Sequence, residues 1–325
     1  MREYLISWAQ YLTIQKGYSP LTSKKYISTL NLFIEYLKSN ELPTNPELIT
    51  RDHIDAFMKY LYFNGNRKNS SRANKLSALK SFFNYLIYTH QIQTNPTIGI
   101  STPRFSKALP VKFTTEDLSY IFQAPDKQTL QGIRDLAMLK AIYGAGLRVS
   151  EVCNLQMGHL IESGGHIRVN ILNSKGDKSR TVTLRKNPSD TLRAWLAIRA
   201  SQDASAGSSV FVGLKHGGYQ GLTMQSANNI LKKYGKIAGI NEADVFVHKL
   251  RATFATDLYD SGRDRCAYCN HPIQSVDVIE VMRLLGHSDP KTTMRYIAVS
   301  ERYVEKIAIP DRRWMELEKK GINGK

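Results

Sequence analysis

The sequence predicts a mainly α-helical protein with one small β-hairpin or sheet, divided into an N-terminal bundle of four helices and a larger C-terminal domain. Apolar residues recur every three or four positions through most of the first ninety residues, which is the spacing of one helix face. Residues 166–184 instead alternate apolar and polar side chains around a polar turn, as paired strands do. Three prolines interrupt 93–112, where no period is sustained. We therefore expect domains at 1–92 and 113–325, joined by a linker at 93–112.

Four helices are predicted in the first domain. The first covers residues 2–17, and the second begins where Ser19, a good helix cap, precedes Pro20, which the first turn of a helix tolerates. The third begins at Thr50, and the fourth, at 73–88, follows the polar turn FNGNRKNSS. Short connections between amphipathic helices predict a bundle with its own buried core.

Helices also dominate the predicted second domain. Thr114 or Thr115, followed by two acidic residues, is a helix start signal. A buried helix at 130–143 leads into the Gly-Ala-Gly run 144–146, and another helix is expected at 147–155. The predicted hairpin follows, with strands HIRVNIL and TVTL on either side of the turn NSKGDKSR. Three more helices are predicted at 189–200, 225–238 and 248–261.

The composition points to an extended anionic partner. The 325 residues contain 45 Lys and Arg against 28 Asp and Glu, a net charge of +17. The basic excess is present on both sides of residue 104, so it is not a detachable tail. Such a chain is expected to bind a polyanion with a steep dependence on salt. Three cysteines cannot form a disulfide framework, and neither a signal peptide nor a membrane span is visible, so we expect a cytoplasmic protein without a membrane partner.

Several residues suited to chemistry on an anion occur between His248 and Tyr296. His248 and Arg251 stand three apart and share one helix face. A second histidine, His287, follows the glycine of a Leu-Leu-Gly turn, and Tyr296 comes nine residues later. Arginines neutralise phosphate oxygens through a permanently charged planar fork, and tyrosine can act as a nucleophile when a base removes its proton. The set therefore indicates a site for an anionic, tyrosine-linked reaction.

Three sequence boxes carry a family resemblance. GAGLRVSEVCNL at 144–155, HKLR at 248–251 and LLGHSDPKTTMRY at 284–296, in this order, resemble those of the tyrosine recombinases, the phage integrase and Xer group. The resemblance implies an N-terminal core-binding, SAM-like domain that clamps DNA and a C-terminal catalytic domain. It also implies cutting and rejoining of duplex DNA through a 3′-phosphotyrosine and a Holliday junction, without ATP, metal or cofactor.

The resemblance assigns a role to each matching residue. Arg148 and Arg251 correspond to the arginine pair that neutralises the phosphate, and Tyr296 corresponds to the nucleophile. His248 is the candidate general base and Lys175, in a Lys-Gly pair of the hairpin turn, the candidate general acid. His287 would hydrogen-bond the scissile phosphate. Glu151, three residues after Arg148, would orient that arginine or a neighbouring histidine.

Further basic residues are candidate DNA contacts, although each could equally be ordinary solvated surface. Two of them, Lys178 and Arg180, lie in the same hairpin as Lys175 and are alternatives to it for the role of general acid. The expected phosphate contacts are Lys24, Lys25, Arg67, Lys68, Arg72, Lys75, Lys178 and Arg180.

The chain departs from simple Xer-like sequences at two places. Ala252 stands where many relatives have a second histidine after the motif arginine. An interval at 263–283 is about a dozen residues longer than in those relatives, and inside it Cys266, Cys269 and His271 have zinc-like spacing. Because three ligands do not complete a structural zinc site, we expect a surface insertion without metal, with zinc as the alternative.

The resemblance also predicts how the protein assembles. The free chain is expected to be a monomer and to form a homotetramer on DNA that carries paired recombination sites. The C-terminal tail, which Pro310 divides, would pack on a neighbouring protomer. Two alternatives share the fold: a type IB topoisomerase-like nicking and closing enzyme, and a DNA-binding protein without catalysis.

Overall fold

The computed structural model describes residues 1–65, 68–104, 111–172, 179–200, 208–213, 221–261, 276–287 and 289–300. The chain divides into two compact units, Met1–Lys107 and Ala108–Lys325. The described residues form α-helices throughout both units and a small antiparallel sheet in the second. The predicted fold class, mainly helical with a small sheet, is confirmed.

The described residues of the N-terminal unit form four α-helices: α1 Leu5–Gln10, α2 Pro20–Ser39, α3 Arg51–Phe63 and α4 Asn69–Tyr88. Short 3-10 and π-helical segments, Arg2–Tyr4 and Tyr11–Gln15, flank α1, so the predicted first helix is present as three consecutive pieces. Helix α2 begins as predicted, because Ser19 Oγ accepts a hydrogen bond from the backbone N–H of Thr22 at 3.2 Å. Helix α4 begins four residues before the predicted Ala73, since Asn69 to Ser71 form its first turn.

The core of this unit is built from large aromatic side chains. Trp8, Phe33, Phe57 and Phe82 are fully buried, and Trp8 meets Phe82 edge-on with ring centroids 5.2 Å apart. Chain beyond α4 also joins this core: Ile100 is buried in it, and its carbonyl accepts a hydrogen bond from Lys80 at 2.8 Å. Part of the predicted linker 93–112 thus packs on the bundle, and the limits of the linker stay a prediction.

The C-terminal unit begins with the bounds α5 Thr115–Gln123, α6 Leu130–Ala145 and α7 Val149–Cys153, followed by β1 Leu160–Ser163, β2 His166–Ile171 and β3 Arg180–Leu184. It continues with α8 Lys186–Ala200, α9 Met224–Ile237, α10 Val247–Asp260, α11 Val278–Leu285 and α12 Pro290–Ile297.

Of the two candidate caps of α5, the structure selects Thr114, which exchanges hydrogen bonds with Asp117 at 3.0 Å.

The sheet has the order β1-β2-β3 and is antiparallel throughout. Strands β2 and β3 form the predicted hairpin, in which Val169 pairs with Val182. Strand β1 was not predicted. Its two central residues, Ile161 and Glu162, are both exposed, so the alternation that marks a half-buried strand is missing from its sequence.

Helix α6 is the central element of this unit and buries charged as well as apolar residues. Asp135 accepts hydrogen bonds from Arg134 at 2.9 and 2.6 Å and from the hydroxyl of Tyr234 at 2.9 Å. Arg134 also donates to the carbonyl of Val212 at 3.0 Å. The buried charges are therefore paired and hydrogen-bonded, as burial requires. The helix ends at Gly146, whose φ of 60° lets the chain turn directly into α7.

Helices α10, α11 and α12 share a smaller core of their own. It consists of Ala252, Ala255, Tyr259, Val281, Leu285, Tyr296 and Ile297. Since this core holds the predicted nucleophile against the helix that carries His248 and Arg251, it fixes their mutual position. In the described part of the chain, no helix is both long and apolar enough to cross a membrane.

Candidate active site

A cleft of about 490 Å³ brings the predicted catalytic residues together. Its walls come from the start of α7, one face of α10, the turn between α11 and α12, and α12 itself. The lining residues are Leu147, Arg148, Val149, Ser150, His248, Arg251, Gly286, His287, Asp289, Thr292, Arg295 and Tyr296. Every predicted catalytic residue in the described ranges is in this set. Lys175 lies outside the described residues.

Tyr296 and His248 form the shortest link between a nucleophile and a base in the cleft. The Tyr296 hydroxyl lies 2.7 Å from His248 Nε2. Desolvation by the surrounding protein, together with the charges of Arg251 and Arg148, lowers the pKa of His248, so a neutral imidazole that accepts the phenol proton is favoured. Burial raises the pKa of Tyr296, and nearby arginines partly offset this rise. The pair is thus arranged as a protonated phenol donating to a neutral base.

His287 is held by two hydrogen bonds. Its Nε2 is 3.1 Å from Nη2 of Arg251, and its Nδ1 is 2.8 Å from Oγ1 of Thr293. Desolvation and the charges of Arg251 and Arg148 lower the pKa of His287 to about 3, so the ring is neutral. A guanidinium can only donate, so Nε2 is the acceptor and Nδ1–H donates to Thr293. The ring orientation is therefore fixed before any ligand binds.

Glu151 is the centre of an arginine cluster. Its Oε1 accepts from Nη1 of Arg148 at 2.6 Å and from Nη1 of Arg180 at 2.9 Å. Its Oε2 accepts from the backbone N–H of Arg148 at 2.7 Å and from Nη2 of Arg180 at 2.8 Å. Burial acts to raise the pKa of Glu151, but these hydrogen bonds and charges outweigh it and lower the pKa to about 2. Arg251 Nη1 lies 3.8 Å from the same carboxylate.

Three consecutive backbone carbonyls at the end of α11 accept hydrogen bonds from three different arginines. Leu284 O accepts from Arg180 at 2.7 Å, and Gly286 O accepts from Arg148 at 2.8 Å. Leu285 O accepts from Arg251 at 2.5 Å. The last carbonyls of a helix lack partners within the helix and carry the negative end of its dipole, so they attract cations. Arg251 also donates to Gly146 O at 2.5 Å, and burial with the charge of Arg148 lowers its pKa to about 9, which leaves it charged at neutral pH.

Two residues that complete the site were missed by the sequence interpretation. Thr293 orients His287, and Arg295 lines the cleft beside Tyr296. For Arg295 the sequence does hold a signal, the helical period of α12. Arg295 and Tyr296 stand three and four residues after Thr292, so these residues share the helix face that lines the cleft.

The predicted DNA contacts fall into different environments. Lys24, Lys25 and Lys68 are exposed, and Arg72 and Lys75 are half-buried. Arg180 is turned inward, with its side chain 9% exposed and paired with Glu151, so in this structure it supports the site. The predicted residues Arg67, Lys175, Lys178, Cys266, Cys269 and His271 lie outside the described residues.

Comparison with known families accounts for both units. The sequence pattern described as "Phage integrase family" matches residues 112–302, and that of the "Phage integrase, N-terminal SAM-like domain" matches residues 5–90. The chain belongs to the phage integrase family. Among its relatives, the tyrosine recombinase XerD of Listeria innocua is 32% identical over 304 residues, which are 93% of this chain and 95% of the relative. The protein is therefore a tyrosine-type site-specific recombinase.

Solved structures share the fold of this recombinase. The XerH site-specific recombinase bound to palindromic difH substrate, in a post-cleavage complex, matches with a TM-score of 0.70 and 22% identity, over 88% of this chain and 78% of that one. A lambda integrase tetramer bound to a Holliday junction matches with a TM-score of 0.65 and 17% identity, over 91% of this chain and 76% of that one. The predicted family is confirmed.

Proposed function

We propose that this recombinase cuts and rejoins duplex DNA through a 3′-phosphotyrosine at Tyr296. The observation that carries the proposal is the hydrogen bond of 2.7 Å between the Tyr296 hydroxyl and His248 Nε2, in a cleft that three arginines also line. A nucleophile within hydrogen-bond reach of a neutral base, beside groups that neutralise phosphate, is the arrangement that phosphodiester cleavage by tyrosine requires.

The first step is attack of Tyr296 Oη on the scissile phosphorus. The phenol proton passes to His248 Nε2 as the new O–P bond forms, and the bond from phosphorus to the 5′-oxygen breaks. A free phenol, with a pKa near about 10, is a poor nucleophile at neutral pH, so removal of its proton during attack is what makes the step feasible. The leaving 5′-oxygen needs a proton, and Lys175 is the proposed donor by its resemblance to the family's lysine.

Arg148 and Arg251 supply the positive charge that the transition state demands. The pentacoordinate phosphorus carries more negative charge on its oxygens than the starting diester, so fixed cations stabilise it more than they stabilise the substrate. Both guanidinium groups are already held by carbonyls of the α11 turn, so their reorganisation on binding is small. His287 is the proposed hydrogen-bonding partner of the phosphate. Because its Nε2 accepts from Arg251 in the free protein, donation to the phosphate requires that the bound anion favour the form with a proton on Nε2.

Rejoining is the reverse reaction with a different 5′-hydroxyl. Because the phosphotyrosine bond retains the energy of the original diester, a second strand can displace Tyr296 without ATP. Exchange of one strand from each of two sites produces a Holliday junction, and we propose a homotetramer on paired sites as the acting form. The lambda integrase tetramer on a Holliday junction, which has the same fold, supports this assembly.

Covalent trapping tests the proposal. Wild type and Tyr296→Phe are incubated with nicked duplexes from the DNA flanking the gene, denatured and examined for protein-linked DNA. We expect adducts with wild type and none with Tyr296→Phe, whereas Tyr120→Phe, a control at an exposed tyrosine of the same unit, should retain them. The next tyrosine in the sequence, Tyr303, is the rival nucleophile. Adducts that persist in Tyr296→Phe but vanish in Tyr303→Phe would assign the nucleophile to Tyr303, and salt-sensitive binding without any adduct would favour a DNA-binding protein.

A second assay separates recombination from nicking and closing. Once the cleaved sequence is known, plasmids with one or two copies are incubated with the protein. A recombinase exchanges strands only between two sites, whereas a topoisomerase-like enzyme would relax the supercoils of a plasmid that lacks a pair.

A further inference from the structure

Arg180 uses its guanidinium entirely inside the active-site wall. All three of its nitrogens donate: Nη1 and Nη2 to the two oxygens of Glu151, at 2.9 and 2.8 Å, and Nε to the carbonyl of Leu284 at 2.7 Å. The side chain is 9% exposed. A residue that read the DNA backbone from the surface would turn donors outward, so this geometry favours a different role from the predicted DNA contact.

Glu151 depends on Arg180 for half of its hydrogen bonds. An ionised carboxylate has about four acceptor positions. Here four hydrogen bonds fill them, two from Arg180 and two from Arg148. Because Arg148 is bound through its backbone N–H and its side chain at once, the position of the carboxylate sets the direction of the Arg148 guanidinium in the cleft.

Arg180 also connects the hairpin to this cluster. In the pairing of β2 with β3, Ile171 lies opposite Arg180, which is the last described pair before the turn that contains Lys175 in sequence. Its Nε bond to Leu284 adds the end of α11, where the next two carbonyls bind Arg251 and Arg148. One side chain therefore joins strand β3, helix α7 and the turn before His287.

We propose that Arg180 is a positioning residue of the recombinase, which fixes Glu151 and, through it, the direction in which Arg148 and Arg251 face the scissile phosphate. This inference rests on the proposed function. Lysine cannot replace the contact fully, because it is a point charge that does not present two parallel N–H groups to a carboxylate while a third binds a carbonyl.

Single-turnover cleavage of a nicked duplex, with the protein saturated by DNA, tests the inference with Arg180→Gln and Arg180→Lys. Arg193→Gln is the matched control, because Arg193 also bonds both oxygens of a glutamate, Glu162 at 3.0 and 2.9 Å, but in an exposed pair outside the cleft. We expect Arg180→Gln to slow cleavage at least about tenfold with the dissociation constant for DNA unchanged within about twofold. Arg180→Lys should recover part of the loss, and Arg193→Gln should behave as wild type.

The pH profile separates positioning from general stability. In wild type the pKa of Glu151 is about 2, below its ordinary value of 4.5, so the carboxylate is ionised throughout the working range. Arg180→Gln removes two of the effects that lower the pKa of Glu151, so that pKa rises and cleavage by the variant should fall more steeply than that of wild type below about pH 6. Unchanged cleavage, or a loss of DNA affinity with normal cleavage at saturation, would overturn the inference.

Equilibrium unfolding in urea decides the inference even if wild type forms no adduct. Since the folded pKa of Glu151 lies below its ordinary value, ionisation of Glu151 stabilises the fold above about pH 4.5, and this stabilisation is lost only as the pH falls towards 2. In Arg180→Gln this stabilisation should be smaller, and its loss should end at a higher pH, because the folded pKa of Glu151 moves back towards its ordinary value. In a Glu151→Gln background this difference between the two profiles should not appear. Parallel stability profiles in wild type and Arg180→Gln would refute the coupling, whereas a shifted profile without adducts would reject only the proposed chemistry.

Discussion

At the scale of single residues, the site is defined by the buried phenol of Tyr296 and the imidazole of His248, each with a shifted pKa. Burial makes Tyr296 harder to ionise, while desolvation and nearby arginines make His248 harder to protonate. At neutral pH the proton therefore stays on the Tyr296 hydroxyl, and His248 stays neutral. The proton would pass to His248 only when Tyr296 attacks a phosphate bound between the arginines, because attack is the step in which the phenol loses its proton.

The first prediction concerns the pH dependence of cleavage. A protonated His248 cannot accept the phenol proton, so the rate should fall at low pH with an apparent pKa below the ordinary histidine value of 6.5, in accord with the lowered pKa of His248. Single-turnover rates between about pH 5 and pH 9 measure it. In His248→Gln the rate should drop by about 10²-fold or more and this acid limb should disappear. An acid limb at or above pH 6.5 in wild type would contradict the assignment.

Within the described residues, the sequence selected side chains that the structure brings together, and their catalytic roles stay predictions. Spacing and resemblance nominated Arg148, His248, Arg251, His287 and Tyr296, and the structure places all five around one cleft. The inward turn of Arg180 could not be predicted, because a basic residue in a hairpin has the same local sequence whether it faces DNA or a carboxylate. Thr293 was missed for a similar reason, since its partner is set by the tertiary fold.

At the scale of elements, the end of α11 matters more than its length of eight residues suggests. Gly286 adopts a φ of 61°, which turns the chain so that His287 enters the cleft and the last carbonyls face the arginines. A side chain at this position would also be in tight contact: a Cβ would lie 3.0 Å from Nη1 of Arg180, so the guanidinium would have to shift slightly. Gly286 therefore determines both the path of the backbone and the space available to Arg180.

The second prediction is that Gly286→Ala damages both stability and catalysis. The left-handed conformation costs an alanine about 1 kcal/mol, and displacement of Arg180 should bring the loss in unfolding free energy to about 2 kcal/mol. Gly239→Ala is the control, because Gly239 has a φ of 73° with no atom within 4 Å of an added Cβ. Urea unfolding and covalent trapping measure both effects. Equal stability losses, with normal cleavage in Gly286→Ala, would show that the contact with Arg180 is unimportant.

Element boundaries were predicted where capping chemistry is local and missed where tertiary contacts decide. Ser19 and Thr114 cap their helices through bonds that the sequence itself specifies. The helix expected at 147–155 is shorter, at Val149–Cys153, because Arg148 is its N-cap residue and donates its backbone N–H to the Glu151 carboxylate. An arginine in that role is not a recognised start signal.

At the scale of the whole molecule, charge is the dominant property. A net charge of +17 is shared by both units, and exposed lysines such as Lys24 and Lys25 lie outside the catalytic cleft. Such a charge attracts a polyanion irrespective of its sequence, whereas the proposed chemistry takes place at a single phosphate in the cleft. Under that proposal, affinity and chemistry are carried by different parts of the surface.

The third prediction is a steep salt dependence of DNA binding by the full chain. If six to ten phosphates are neutralised, affinity should fall by about 10³ to 10⁵ between 50 and 200 mM salt. Lys24→Gln should reduce the slope of log affinity against log salt by about one. Lys186→Gln, whose ammonium already pairs with Asp190 at 2.8 Å, should leave it unchanged. Fluorescence anisotropy measures the slopes, and identical slopes in Lys24→Gln and wild type would remove Lys24 from the contacts.

The three carbonyls that hold the arginines have a consequence for how this site can evolve. A carbonyl is present at every residue, so replacing Leu284 or Leu285 by another apolar residue of similar size leaves the acceptors in place. The arrangement is therefore retained as long as the arginines and the backbone path set by Gly286 are retained. The side chains that carry these carbonyls can change, so the surroundings of the cleft could adapt to new DNA sites while its charges stay in place.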